Sequence, residues 1–177
     1  MAKKATPPKT KDKKPARNYR NQFAEMYVAG CFMDAGWQVF FPQRDEGFDF
    51  IAAKRTANGT FLRPVQVRGC YRQPDTKVKN KATYGKSPIL LSQRHPDMVV
   101  AIPFFSEQSP HYPHGVAYLR LPDLKTNGET GNLYSYPAQL RDGVAQPRPS
   151  YVGLFGTAGL ARLEAASATL DSETLPE

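Results

Sequence analysis

The chain has 177 residues, 40% hydrophobic and 23% charged, with a formal net charge of +8 and two cysteines, Cys31 and Cys70. This is the size of one domain with tails. Two cysteines exclude a disulfide framework or a cysteine-rich zinc site and point to reduced thiols in a cytoplasmic setting. No apolar run reaches the roughly 20 residues of a membrane-spanning helix, and the basic N-terminus lacks the apolar segment of a secretory signal.

The charge is concentrated at one end. Residues 1–20 hold Lys3, Lys4, Lys9, Lys11, Lys13, Lys14, Arg17 and Arg20 against Asp12, a charge of +7 that leaves +1 for the remainder. With Pro7, Pro8, Pro15 and almost no large apolar side chain, residues 1–19 are predicted to be a disordered basic tail. It is either a phosphate-contacting arm or a solubilising one. Residues 20–168 are predicted as the folded domain and 169–177 as an acidic flexible tail.

A helix is predicted over 18–35, with Phe23, Met26, Tyr27 and Met33 on its apolar face, Phe32 at the edge, Gly30 allowing close approach to a sheet, and Gly36 as the stop. Strands follow over 37–41, 48–53 and 61–67. Asn58-Gly59 between the last two is a hairpin signal. Residues 70–88 are basic with interleaved tyrosines and read as a long loop or lid. Further strands are predicted at 89–91, over 98–104 (apolar on both faces) and over 115–121. Residues 123–131 are turn-rich, 132–150 carry no clear pattern, and 157–168 form an Ala-rich helix. The expected architecture is α/β with an α+β character, a mixed sheet of about five strands flanked by helices.

The chemistry concentrates between Asp45 and Gly69. An antiparallel hairpin turning near Asn58-Gly59 brings Asp49 level with Gln66 and Arg68. Gln66 and Arg68 share a face by period two, and Val67 points into the core. The Asp49 carboxylate, the Gln66 side-chain oxygen and the Val67 carbonyl are the oxygen donors a hard divalent cation takes, and Arg68 beside them would bear on a phosphate. Asp45 and Glu46 near Gly47 read as turn acids. His111-Tyr112-Pro113-His114 lacks the spacing of a helical ligand pair, and no nucleophile elbow or Gly-rich phosphate loop is present.

The run Glu25…Gly36-Trp37-Gln38-Val39…Pro42…Asp45-Glu46-Gly47-Phe48-Asp49-Phe50-Ile51…Val65-Gln66-Val67-Arg68-Gly69 resembles the PD-(D/E)XK nuclease superfamily. It looks like archaeal Holliday junction resolvases and related small nucleases over about residues 20–105. In that superfamily an acid on one strand precedes an acid-apolar-Lys triplet on the next, and an upstream helix contributes a Glu. The resemblance implies a restriction-endonuclease-like core and Mg²⁺- or Mn²⁺-dependent hydrolysis of DNA, with Glu25, Asp49, Gln66 and Arg68 catalytic and with Asp49, Gln66, the Val67 carbonyl and Glu25 on the metal. Relatives that cut two strands pair as homodimers. Arg72, Lys77, Lys79, Lys81, Tyr84 and Lys86 would line a nucleic-acid surface. Gln66 replaces an acid, as in some intron homing endonucleases, and removes one negative charge from the site. Arg68 replaces Lys and cannot act as a general base. Lys54 and Lys86 are the candidates for a missing amine. Two alternatives stand beside the nuclease: a nuclease-like DNA-binding module without chemistry, and a protein-interaction domain in which Asp49 and Arg68 are structural.

Overall fold

The computed structural model describes residues 16–44, 46–57, 59–71, 84–86, 95–106, 111–126, 128–129, 133–141 and 144–165. Most of the basic tail, Asp45, Asn58, the cations Arg72, Lys77, Lys79 and Lys81, the strand expected at 89–91 and the acidic C-terminal segment lie outside these residues.

Helix α1 (Ala16–Asp34) leads into β1 (Gln38–Phe40), β2 (Phe50–Thr56) and β3 (Gly59–Val67). These three strands pair antiparallel in sequence order, with Phe40 against Ile51 and Phe50 against Val65. Thr56 pairs with Gly59, so Gly59, expected inside the turn, is the first residue of β3. The next long strand, β6 (Val99–Phe105), runs parallel to β3, pairing Val67 with Ala101. On its other edge β6 pairs antiparallel with β7 (Gly115–Arg120).

The short β4 (Cys70–Tyr71) pairs parallel with β6, with Cys70 opposite Phe104. From Val67–Ala101 to Cys70–Phe104 both strands advance three residues, so β4 continues β3 along one edge of β6. The interruption has a chemical cause. Arg68 N–H donates to the Ala101 carbonyl at 2.8 Å. A parallel ladder in this register would next take an N–H from residue 103 to the Arg68 carbonyl. Residue 103 is proline and has none. The result is a mixed, six-stranded sheet.

The sheet separates two cores. One, beneath α1 and α2 (Gly156–Ala165), gathers Phe32, Trp37, Phe50, Val65, Val67, Val99, Ala101, Tyr118, Leu160 and Leu163. The other holds Met98, Val100, Ile102, Phe104, Leu119, Leu133 and Leu154. Alternate residues of β6 serve alternate cores, and every position of that strand is buried, as its unbroken apolar run predicts. The second core is closed partly by residues the sequence pattern left unassigned. These include β9 (Leu133–Ser135) in a three-stranded sheet with β5 (Tyr84–Lys86) and β8 (Lys125–Thr126), and the hairpin of β10 (Ala138–Arg141) with β11 (Val144–Pro147). The expected loop at 70–88 is thus corrected at its two ends, which form β4 and β5.

The buried face of α1 is also a correction. Ala24, Val28, Ala29 and Phe32 are fully buried, while Phe23, Met26 and Met33 are 40–53% exposed and Tyr27 is half-buried. Both faces of the helix are apolar, and the face with small residues wins because it comes closest to the sheet. The contact is not at Gly30, where an added Cβ would meet nothing within 4 Å. It is at Gly69, where an added Cβ would stand 3.0 Å from Ala24 Cβ and 2.7 Å from Tyr71 Cε2. Phe32 anchors the helix edge-on against Trp37, Phe50 and Tyr118, with ring centroids 5.5–5.7 Å apart. Such pairs contribute about 0.5–1.5 kcal/mol each beyond their burial. At the N-terminal end the Tyr71 hydroxyl donates to the Arg20 carbonyl at 2.7 Å, and its ring stacks on Phe105 at 4.3 Å.

Candidate functional site

The site forms where β3 continues past Phe50, the first residue of β2. Asp49 lies one residue before β2, so it does not begin the strand as expected, but its N–H still donates to the Val65 carbonyl at 2.8 Å. The register pairs Phe50 with Val65, and the Asp49 N–H bonds that same Val65 carbonyl, so Asp49 stands beside the end of β3 rather than in a regular pair with Gln66. Beyond this point the backbone of β3 has no β2 partner. Val67 N–H donates instead to Asp49 Oδ2 at 2.5 Å. In an extended strand the N–H and C=O of one residue point to the same side. The Val67 carbonyl thus opens into the same gap as the Asp49 carboxylate. Arg68 Nη1 reaches back to that carbonyl and donates to it at 3.1 Å.

Gln66 is buried, and its Nε2 donates to the Gly47 carbonyl at 3.1 Å. Gly47 has φ +84°, a left-handed conformation that side-chain-bearing residues rarely adopt. Gln66 therefore holds the bend that delivers Asp49. This positioning role is additional to the metal-ligand role expected of it.

Glu25, on α1, is half-buried. Burial raises its carboxyl above the usual range, the Asp49 charge raises it further, and the Arg68 charge partly offsets both. Asp49 and Arg68 are therefore both within electrostatic reach of Glu25. The close approach of Ala24 to Gly69 places Glu25 there, since the two residues adjoin Glu25 and Arg68 in the chain.

Lys54 is not part of this site. It lies five residues along β2 from Asp49, about 16 Å at strand rise. Its Nζ donates to the Ala35 carbonyl at 2.9 Å and pairs with Glu164 at 2.6 Å, with the Trp37 ring 5.7 Å away. It ties β2 to the C-terminal end of α1 and to α2, which corrects its candidacy as the missing amine. The backbone of Tyr84 and Lys86 lies in β5, opposite Ser135 and Leu133, on a sheet separate from the one that carries Asp49. His95 Nδ1 accepts from Asp97 N–H at 3.1 Å, and His111 and His114 are exposed.

Two residues that build the site carry no chemistry of their own. Gly69 was legible as the end of the Gln-Val-Arg-Gly run but gave no sign of a helix above it. Pro103 interrupts an otherwise apolar strand, and that break was the available signal for a disturbed ladder opposite Arg68.

Among the described residues no three of His, Cys, Asp and Glu gather as a metal-holding group. The set here has two carboxylates, Asp49 and Glu25, with the Val67 carbonyl beside them. That matches magnesium chemistry, in which one or two carboxylates suffice and waters complete the shell. These donors are all oxygens, the kind a hard cation takes, and include no histidine or cysteine. Among the described residues no helix is long and apolar enough to cross a membrane. No family model and no curated protein matches the chain.

Proposed function

We propose that the protein is a metal-dependent endonuclease hydrolysing phosphodiester bonds in DNA on a restriction-endonuclease-like core. The order α1, three antiparallel strands and a parallel fourth supports the core. The observation that carries the chemistry is the bond from Val67 N–H to Asp49 Oδ2, which sets a carboxylate against a backbone carbonyl with Glu25 alongside. Mg²⁺ or Mn²⁺ held by these oxygens would act as a Lewis acid and lower the pKa of a bound water. Glu25 accepts a proton more readily than a free glutamate and would hold the attacking water. Arg68 stays charged throughout and offers its guanidinium to a phosphate oxygen, where it stabilises developing charge.

The test is cleavage of supercoiled, linear, branched and single-stranded DNA with Mg²⁺ and with Mn²⁺. Asp49→Asn keeps an oxygen for the Val67 N–H while removing the charge, so it is expected to fold and to abolish cleavage. A wild-type protein inert on every substrate with both metals would remove the proposal.

A second reading, a DNA-binding module with weakened chemistry, is favoured by one observation. Gln66 and Arg68, which stand where the family has an acid and a lysine, both make internal hydrogen bonds. This reading expects binding without cleavage that weakens steeply with salt and with deletion of residues 1–15.

A further inference from the structure

The Val67 carbonyl is the backbone oxygen of the donor set, and the Arg68 guanidinium sits on it through a 3.1 Å hydrogen bond. A divalent cation and a guanidinium on that one oxygen repel each other at close range, so each disfavours the other there. The guanidinium is also the group in the site best shaped to bind phosphate, which it takes as a planar fork. Two jobs therefore compete for one side chain. Resting on the nuclease reading, we propose that Arg68 is a substrate-released latch. It occupies the Val67 carbonyl until a DNA phosphate draws the guanidinium away, and the site then takes its divalent cation more tightly.

The geometry gives the latch an easy release. Arg68 is only half-buried, and its bond spans adjacent residues, so it swings off without moving β3. Asp49 and Val67 stay joined through the Val67 N–H, so the rest of the donor set is already in place when the carbonyl is uncovered. The latch makes cation and DNA binding cooperative, and by linkage each tightens the other by the same factor.

The test measures binding, without turnover. Mn²⁺ is titrated by calorimetry into the full chain, alone and with a saturating short phosphorothioate duplex. The carbonyl ¹³C shift of Val67 is followed as duplex is added without metal. The latch predicts Mn²⁺ binding roughly tenfold tighter with duplex, a typical coupling between two sites. It also predicts that duplex alone moves the Val67 carbonyl resonance as its donor leaves. In Arg68→Met, which removes the donors and keeps the chain length, Mn²⁺ binds the free protein more tightly and the coupling shrinks. Mn²⁺ that binds wild type, is lost in Asp49→Asn, and is indifferent to duplex would overturn the latch and leave the nuclease reading standing. A Val67 resonance unmoved by bound duplex would do the same, reducing Arg68 to a fixed charge. Absence of Mn²⁺ binding in every form overturns both.

Discussion

Replacing Gly69 with alanine tests whether the close packing of α1 on β3 builds the site. The new Cβ would stand 2.7 Å from Tyr71 Cε2 and 3.0 Å from Ala24 Cβ. Ordinary carbon contacts lie near 3.6 Å, so these neighbours must yield by about 0.9 and 0.6 Å. Neither yields freely. The Tyr71 ring is stacked on Phe105 and its hydroxyl is bonded to the Arg20 carbonyl, while Ala24 is fully buried on a helix anchored by Phe32. Overpacking of this kind costs about 1–3 kcal/mol. At 2–4 °C per kcal/mol for a chain of this size, a central value of about 2 kcal/mol lowers the melting temperature by roughly 4–8 °C. The functional consequence is larger. Lifting α1 by a fraction of an ångström withdraws Glu25 from Asp49, and misplacement by about 1 Å can cost 10²-fold in rate. Thermal unfolding and the ¹³C titration of the Glu25 carboxyl check both halves. The Glu25 carboxyl should fall back toward its ordinary range as the Asp49 charge recedes and water enters. Ala24→Gly in the same chain should relieve the helix contact and recover part of the titration shift. Gly69→Ala with unchanged melting and an unchanged Glu25 titration would refute the reasoning.

Other outcomes follow from the same geometry. The raised Glu25 carboxyl means that the folded state binds its proton more tightly than the unfolded chain does. Its contribution to stability is therefore most favourable below the unfolded value and is lost as pH rises through the higher folded value. Glu25→Gln should flatten that part of the stability-against-pH curve and stabilise the protein at neutral pH while lowering cleavage; an unchanged curve would count against the assigned environment. Lys54→Met should lower the melting temperature by breaking the tie between β2, α1 and α2, with metal-dependent cleavage retained at a temperature where the variant is folded. Loss of cleavage in that folded variant would return Lys54 to the chemistry. Arg63 is 1% exposed and bonds Asp97 at 2.7 Å and the Leu163 carbonyl at 3.0 Å. Asp97→Ala leaves that buried cation undercompensated and should cost about 2 kcal/mol in chemical denaturation, below the 3–5 typical of a fully buried pair because Asp97 is 44% exposed. Asp97→Ala/Arg63→Met should cost less than the single Asp97 change.

The hairpin and its register were determined by sequence alone. Asn58-Gly59 lies between two apolar runs, and local counting sets the register from Thr56–Gly59 to Phe50–Val65, while Asp49, expected level with Gln66, bonds the Val65 carbonyl instead. The central strand was equally legible, because seven apolar residues in succession have no exposed face to offer. The face of α1 was decided only in three dimensions. Its larger side chains, Phe23, Met26 and Met33, suggested one buried stripe, but the helix turns its small residues inward because Gly69 lets the backbones approach there. Lys54 was undetermined for a related reason: its partners, Ala35 and Glu164, lie 19 and 110 residues away in the chain. The hold of Arg68 on its neighbour's carbonyl also needed the folded chain. That oxygen is available to a side chain because β2 begins two residues too late in the chain to pair with it.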